Sequence, residues 1–300
     1  MLVELRQLRY FRTLAEELHF GRAAERLHIV QSAVSQQLRR LERELGVELF
    51  DRSTRTVRLT EAGHRLLPYA ERVLADVQAA RAAIDDLRSR QDGTVRLGTS
   101  TGLGARLDAL LGRFHELAPE ATLDLVTAPT AERLRRVRSG ELDATLVRGE
   151  HPDTGLELLA AWRDPLVVAL PARHDLAVRS RVEMAALAGL PLRLASRQRN
   201  APLYDLIVDC CRQAGFTPTL GPEFTTDQDT LAAIGFGTPS WTVYYAAQAG
   251  RIAPPGVVFR PLTGPEPVMP SYLAVRPDPP RAELRALIEA VARTARDALA

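Results

Sequence analysis

Residues 20–58 read FGRAAERLHIVQSAVSQQLRRLERELGVELFDRSTRTVR, and the spacing within them decides the fold of the amino-terminal part. Val34, Leu38, Leu41 and Leu45 recur four, three and four residues apart, one stripe of an α-helix. Ser32, Ser35, Gln36, Arg39 and Arg43 fall on another face. Gly46 ends the pattern with a residue that accepts the left-handed geometry of a helix C-cap. A shorter helix before it turns Ala23, Ala24 and Leu27 inward, small enough at the alanines for two helices to cross closely. His28, Ile29 and Val30 make the turn, and Arg52, Arg55 and Arg58 follow in a short strand-turn-strand. Two helices, a tight turn and a basic hairpin are the layout of a winged helix-turn-helix, which sets one helix in the major groove of DNA.

The polar face of the second helix fits that task. Hydroxyls, amides and guanidiniums suit phosphate oxygens and base edges: Gln pairs with adenine, Arg with guanine, Ser with either. Gln31, Ser32, Ser35, Gln36 and Arg39 are the candidate contacts on the helix, and Arg52, Arg55 and Thr56 those on the hairpin. The plainer reading is an amphipathic pair of helices with a solvated face. Two features weigh against it. Acids enter the face only at Glu42 and Glu44, and the three hairpin arginines suit the backbone or the narrow minor groove.

Residues 23–63, AAERLHIVQSAVSQQLRRLERELGVELFDRSTRTVRLTEAG, resemble the DNA-binding signature of LysR-type transcriptional regulators. Ala-Ala-x-x-Leu, Gln-x-Ala-x-Ser, Leu-Glu-x-x-Leu-Gly-x-x-Leu-Phe-x-Arg and Leu-Thr-x-Ala-Gly all stand at the family's spacing. Val30 stands where the family usually has Ser or Thr, and Ser32 where it usually has Pro. Val30 removes a helix N-cap or phosphate contact, which Gln31 or Ser32 is then expected to supply.

Length allows two or three domains in 300 residues, and 46% hydrophobic residues fill sizeable cores. A net charge of +2 is too small for a non-specific architectural DNA binder. Its distribution says more: residues 1–90 hold sixteen arginines against thirteen acids. Every basic residue in the chain is Arg, a bias that covers both halves and carries no functional conclusion. Cys210 and Cys211 are adjacent, which excludes an ordinary disulfide between them. Two readings stand for the pair, a buried helical pair or a redox sensor. No Cys/His spacing suggests a metal, and no cofactor is expected. No apolar run reaches membrane-spanning length and residues 1–11 are not a signal peptide, so a cytoplasmic protein with no membrane partner is expected.

After the hairpin, Leu66, Ala70, Val73, Val77, Ala80, Ile84 and Leu87 alternate at four and three residues, an a/d seam. Thr60 is a fair N-cap, and a helix over 61–90 would span roughly 45 Å. A stripe on a single core-packed helix is the alternative. The narrow seam with charged flanks reads better as a dimerising linker helix, with Pro68 expected to kink it or cost a hydrogen bond. Paired subunits would present paired recognition helices to paired half-sites. The family resemblance implies a homodimer here, and a homotetramer as a dimer of dimers.

Beyond Gly93, strands and helices alternate: strand 94–100, a helix ending at Pro119, strand 121–128, helix 130–140 and strand 142–149. That βαβαβ unit predicts a parallel sheet. A second run holds strands at 164–172, 191–196 and 219–224, helices at 202–216 and 228–237, a return strand at 270–277 and a last helix at 282–298. The expected fold class is therefore α/β. An all-α winged helix-turn-helix occupies 1–60, a linker helix and hinge 61–92, and a two-lobed effector-binding domain 93–300. Lobe I takes 93–163 and 267–300, lobe II 164–266. The two lobes resemble those of periplasmic solute-binding proteins, as in LysR-type effector domains.

Open α/β sheets bind ligands beyond the carboxyl ends of their strands. Ser100, Thr101, Thr130 and Arg148 stand at such ends in the first lobe, and Arg197, Asn200 and Thr226 in the second. Together they suit a carboxylate, so a small organic acid, aromatic acids included, is the expected inducer. Singly, each Ser, Thr or Asn is also a routine helix cap, and each Arg a routine partner for a surface acid. The resemblance implies that Thr101, Thr130 and Arg148 lie where members sensing aromatic acids hold their ligand. Trp241, after Pro239 and Ser240, stands where the family has an aliphatic strand, and either lines the cleft or packs between lobes.

No nucleophile elbow, phosphate loop or paired histidine supports an enzyme. The expected function is a ligand-responsive transcription factor on double-stranded operator DNA, touching RNA polymerase if it activates. The alternative is a non-specific or architectural DNA binder with a vestigial solute-binding domain.

Overall fold

The computed structural model describes residues 3–51, 57–151, 154–252 and 254–297, the side chains of 78, 79, 81–92 and 297 excepted. The chain forms two compact units, Met1–Asp86 and Leu87–Ala300.

The first unit contains α1 (Leu5–Glu17), α2 (Phe20–Leu27), α3 (Gln31–Leu45), β1 (Phe50–Asp51), β2 (Arg58–Leu59) and α4 (Glu61–Asp92), the last running on into the second unit. The predicted inward stripe of α3 is observed: Val34, Leu38 and Leu41 are fully buried with Phe11 and Leu14 of α1 and Ala23 of α2. Gly46 caps α3 at φ +71, the left-handed conformation that an L side chain adopts only at a cost. Glu42 is structural, since its Oε1 accepts the backbone N–H of Leu49 at 3.0 Å and steers the chain into β1. The Thr60 hydroxyl accepts the Gly63 N–H at 3.1 Å and so caps α4, which continues through Pro68.

The predicted seam divides. Ala70 is buried in the core of its own unit, with Leu66 and Leu74 packed beside it. Val73 stays 39% exposed and Tyr69 58% exposed. Ile84 and Leu87 lie outside the described side chains. The first turns of α4 therefore spend their apolar stripe inside the chain, because the small Ala70 lets the helix sit against α1 to α3.

The second unit contains β3 (Thr94–Thr99), α5 (Ala105–Leu117), β4 (Thr122–Thr127), α6 (Thr130–Arg138), β5 (Ala144–Arg148), β6 (Glu157–Pro171), β7 (Val182–Glu183), α7 (Ala201–Gln213), α8 (Asp227–Phe236), β8 (Thr242–Tyr245), α9 (Ala246–Ala249), β9 (Val257–Thr263), β10 (Val268–Val275) and α10 (Ala282–Asp297). The sheet order is β4-β3-β5-β10-β6-β9-β7, with β8 also on β6. β3 pairs in parallel with both β4 and β5, as the βαβαβ reading expected. β10 returns antiparallel between β5 and β6. The fifteen-residue β6 joins the lobes: residues from Glu157 pair with β10, and Leu166 to Pro171 pair with β8 and β9.

Two cores result. One gathers Val95, Leu97, Leu110, Leu146, Leu273 and Leu287, the other Val168, Met184, Ile207, Cys211 and Trp241.

Three expectations change. The segments 191–196 and 219–224 are not regular strands: an isolated bridge joins Leu192 to Leu220, a further backbone bond runs from the Phe224 N–H to the Leu194 carbonyl at 3.1 Å, and a second isolated bridge joins Leu192 to Trp241. Pro191, Pro218 and Pro222 supply no N–H to extend a ladder. β6 begins seven residues before the expected start at 164; its first residues, from Glu157 to Ala160, are exposed or half-buried and show no strict alternation, and only Val168 to Pro171 are covered on both faces. Trp241 neither lines a cleft nor packs between lobes. It is fully buried in the second core, with its indole N–H donated to the Leu190 carbonyl at 3.0 Å.

Candidate DNA-contacting face and sensor site

Burying one stripe of α3 turns the other outward. Gln31, Ser32, Gln36, Arg39 and Arg43 are exposed and Ser35 is half-buried, so the predicted row is one continuous face. Arg40 is tied to Glu44 at 3.0 Å and to Glu4 at 3.2 Å, whereas Arg39 has no acid partner among the described residues. A groove of ≈ 930 Å³ runs along this half of α3 and into β1, lined by Gln36, Arg39, Arg43 and Val47 among others. Neither Gln31 nor Ser32 takes over the capping role expected of them. The N-cap is Val30, 68% exposed and with no side-chain bond to the helix. The first-turn N–H groups of α3 are left without a side-chain acceptor, the arrangement that receives a phosphate. Arg52, Arg55 and Thr56 lie outside the described residues.

In the second unit, the carboxyl ends of β3, β4 and β5 converge. Arg148, the last residue of β5, reaches the loop after β3: its guanidinium donates to the Thr101 carbonyl at 2.9 Å, the Gly102 carbonyl at 2.7 Å and the Ser100 hydroxyl at 3.5 Å. The guanidinium also lies 3.7 Å from the ring centroid of Tyr245, within cation–π range. Its Nε faces Asp164 at 3.4 Å. Asp164 is buried and saturated, since it also accepts from Arg106 at 2.7 Å, Trp162 Nε1 at 3.0 Å and Ser271 at 3.0 Å. Burial pushes the Tyr245 hydroxyl up from its ordinary value.

Ser100, Thr101 and Arg148 are therefore brought together, whereas Thr130 is held by Arg133, whose Nη2 donates to the Thr130 hydroxyl at 3.1 Å. The second-lobe candidates are otherwise engaged. Asn200 caps α7 by accepting the Leu203 N–H at 3.4 Å, and Thr226 caps α8 by accepting the Asp229 N–H at 3.1 Å. Arg197 makes an exposed two-point pair with Asp205 at 2.7 and 2.9 Å, which holds that carboxyl below its usual range. Sequence reasoning missed Arg133, Asp164 and Tyr245. A guanidinium on an inward helical face, Arg133 between Thr130 and Leu134, was the one available signal.

Two family models match. Residues 5–64 match the bacterial regulatory helix-turn-helix protein, lysR family, and residues 88–296 match the LysR substrate binding domain. The chain belongs to the LysR family. This LysR-type regulator is 34% identical to the HTH-type transcriptional regulator ShiR of Corynebacterium glutamicum (strain R), over 87% of this chain and 88% of that protein. It is 33% identical to the regulator XapR of Escherichia coli (strain K12), over 86% and 87%. Among solved structures it resembles full-length CbnR complexed with its target DNA at a TM-score of 0.61 and 25% identity, covering 97% of this chain and 100% of that one. The LysR-type chain is thus a DNA-binding transcriptional regulator and not an enzyme. No helix among the described residues is long and apolar enough to cross a membrane.

Proposed function

We propose that this regulator reads paired operator half-sites through α3 and answers to a small organic acid, aromatic acids included, held at the strand ends of its second unit. Residues 1–60 bind DNA, 61–92 link and pair the subunits, and 93–300 sense the acid. The exposed Val73 and Ala80 of the α4 stripe support a homodimer, and membership of the family implies a homotetramer as a dimer of dimers. Gln31, Ser32, Ser35, Gln36 and Arg39 contact the duplex, with Arg52, Arg55 and Thr56 on the wing. The regulator works in the cytoplasm and contacts RNA polymerase where it activates.

The observation that carries the sensing role is Arg148. A cation sits at the carboxyl end of a parallel strand, next to the Ser100 and Thr101 loop and over an aromatic ring. Asn200 and Thr226, through the helix ends they cap, and Arg197, through its exposed pair with Asp205, complete the proposed site from the second lobe.

The test is a gel-shift titration on the DNA upstream of the protein's own gene, at fixed salt with non-specific competitor, repeated with a panel of aromatic and aliphatic acids. The expected result is tight binding that survives competitor and shifts with at least one acid, a shift that Arg148→Ala loses while keeping its DNA affinity. An unaltered dose response in Arg148→Ala would remove that residue from the site.

A further inference from the structure

We infer that Arg133 makes the sensor site select an anion: it is a desolvated positive charge with no carboxylate beside it, which a ligand carboxylate at the Thr130 end of the site would balance. This rests on the reading of the strand ends as the acid site and names the residue behind its charge preference.

Arg133 is only 1% exposed, on the inward face of α6. All its partners are neutral. Nε donates to the Ala128 carbonyl at 2.8 Å, Nη1 to the Thr145 hydroxyl at 2.6 Å and to the Leu146 carbonyl, and Nη2 to the Thr130 hydroxyl at 3.1 Å. Among the described residues no acid pairs with it. Asp164, the buried carboxylate of the region, is already divided between Arg106 and Arg148 and has no capacity left. Buried guanidiniums are ordinarily paired with an acid, because the charged form loses its hydration and gains nothing comparable from neutral acceptors. The cost is visible here. Burial brings the Arg133 pKa down to about 10, with the like charge of Arg148 adding to the effect. His151, which meets the Arg148 carbonyl at 3.1 Å, is pushed down by burial, and Arg133 adds to that too. The neighbourhood holds more positive charge than it can balance.

The chain builds this environment deliberately. Thr145 can approach Arg133 because β3 carries Gly98 opposite it, where a Cβ would lie 2.5 Å from the Thr145 hydroxyl oxygen. Thr145 in turn donates to the Gly98 carbonyl at 3.1 Å, so its oxygen is fixed to accept from Arg133. The loops that follow β3 and β4 on the side of Thr130 are hydroxylic. Thr127 and Thr101 are exposed, and Ser100 and Thr130 half-buried. A carboxylate there would take hydroxyl bonds while its charge compensates the guanidinium behind Thr130. A neutral ligand of the same shape would make the bonds and leave the charge uncompensated. Arg133 is thus a positioning and charge-selecting residue, acting through Thr130.

The test uses the full-length protein and acid–amide pairs of matched shape: benzoate and benzamide, salicylate and salicylamide, succinate and succinamide. Affinities are taken from the rise in melting temperature with concentration at constant ionic strength. The expected result is that at least one acid binds about tenfold or more tighter than its amide. Arg133→Gln should bring that ratio close to one while operator affinity is kept, and Arg133→Lys, which retains the charge, should keep the preference. A general loss of structure lowers both affinities and does not move the ratio. If Arg133→Gln fails to fold, a folded Arg133→Lys that has lost the preference overturns the inference by itself, and one that keeps it supports the inference. Loss of acid binding in Arg148→Ala with an unchanged ratio in Arg133→Gln overturns the role of Arg133 and leaves the acid site standing. No acid preference in the wild-type protein removes both.

Discussion

Asp164 shows how one residue can hold a site together. Its two oxygens accept from two guanidiniums, an indole and a hydroxyl, and it is 2% exposed. Removing one member of a buried ion pair strands the others, at about 3–5 kcal/mol. Asp164→Asn is expected to destabilise the second unit by about 3 kcal/mol, read as an earlier urea midpoint of that unit's transition in the fluorescence of Trp162 and Trp241. An unchanged midpoint would mean that the arginines find other acceptors. The cysteines give a second prediction. Cys210 and Cys211 are free and buried in the second core, and burial raises both thiols, Cys211 to about 12. Both stay protonated near neutral pH, and the thiol is the unreactive form. Iodoacetamide should therefore leave both unlabelled in the folded protein at pH 8 and modify both in urea. Labelling of either in the folded chain would reopen the redox reading.

At the scale of elements, α3 is a helix whose two faces have separate duties. The inward leucines are interchangeable in chemistry and demanding in volume, whereas the outward residues contribute nothing to the core. Gln36→Ala and Arg39→Ala should each weaken operator binding by about ten- to a hundredfold, since a bidentate base contact is worth about 1–3 kcal/mol. Circular dichroism and melting should not change, because both side chains are exposed. Equal weakening on operator and random DNA would turn the residue from a base reader into a phosphate contact. The strand β6 has the opposite character. Its two halves serve different cores, and its continuity sets where Asp164 meets Arg106 and Arg148.

At the scale of the whole molecule, a regulator needs its effector and its operator to act on one equilibrium. Coupling free energies are reciprocal, so an acid that changes operator affinity by about tenfold must see its own affinity changed by the same factor when operator is bound. Calorimetric titration of the acid with and without operator duplex checks this. Identical acid affinities, alongside a changed gel shift, would place the effect of the acid away from the binding equilibrium. What the sequence alone determined is everything carried by local period and short motifs. The α3 stripe, its Gly46 cap, the Thr60 cap, the parallel βαβαβ unit and the outward polar row depend on residues three or four apart, or on single residues with special backbone freedom. The places of Ser100 and Arg148 at strand ends, and of Thr130 at a helix start, were legible for the same reason. Only the tertiary structure decided that Ala70 packs into its own unit and that Trp241 is core. Only the tertiary structure brought Arg106 to Asp164, 58 residues away, and Arg148 to the Gly102 carbonyl, 46 residues away. It also left Arg133 enclosed by neutral acceptors. Periodicity tells a side chain which face to occupy, but the charge it meets there is set by chain segments with no local relation to it.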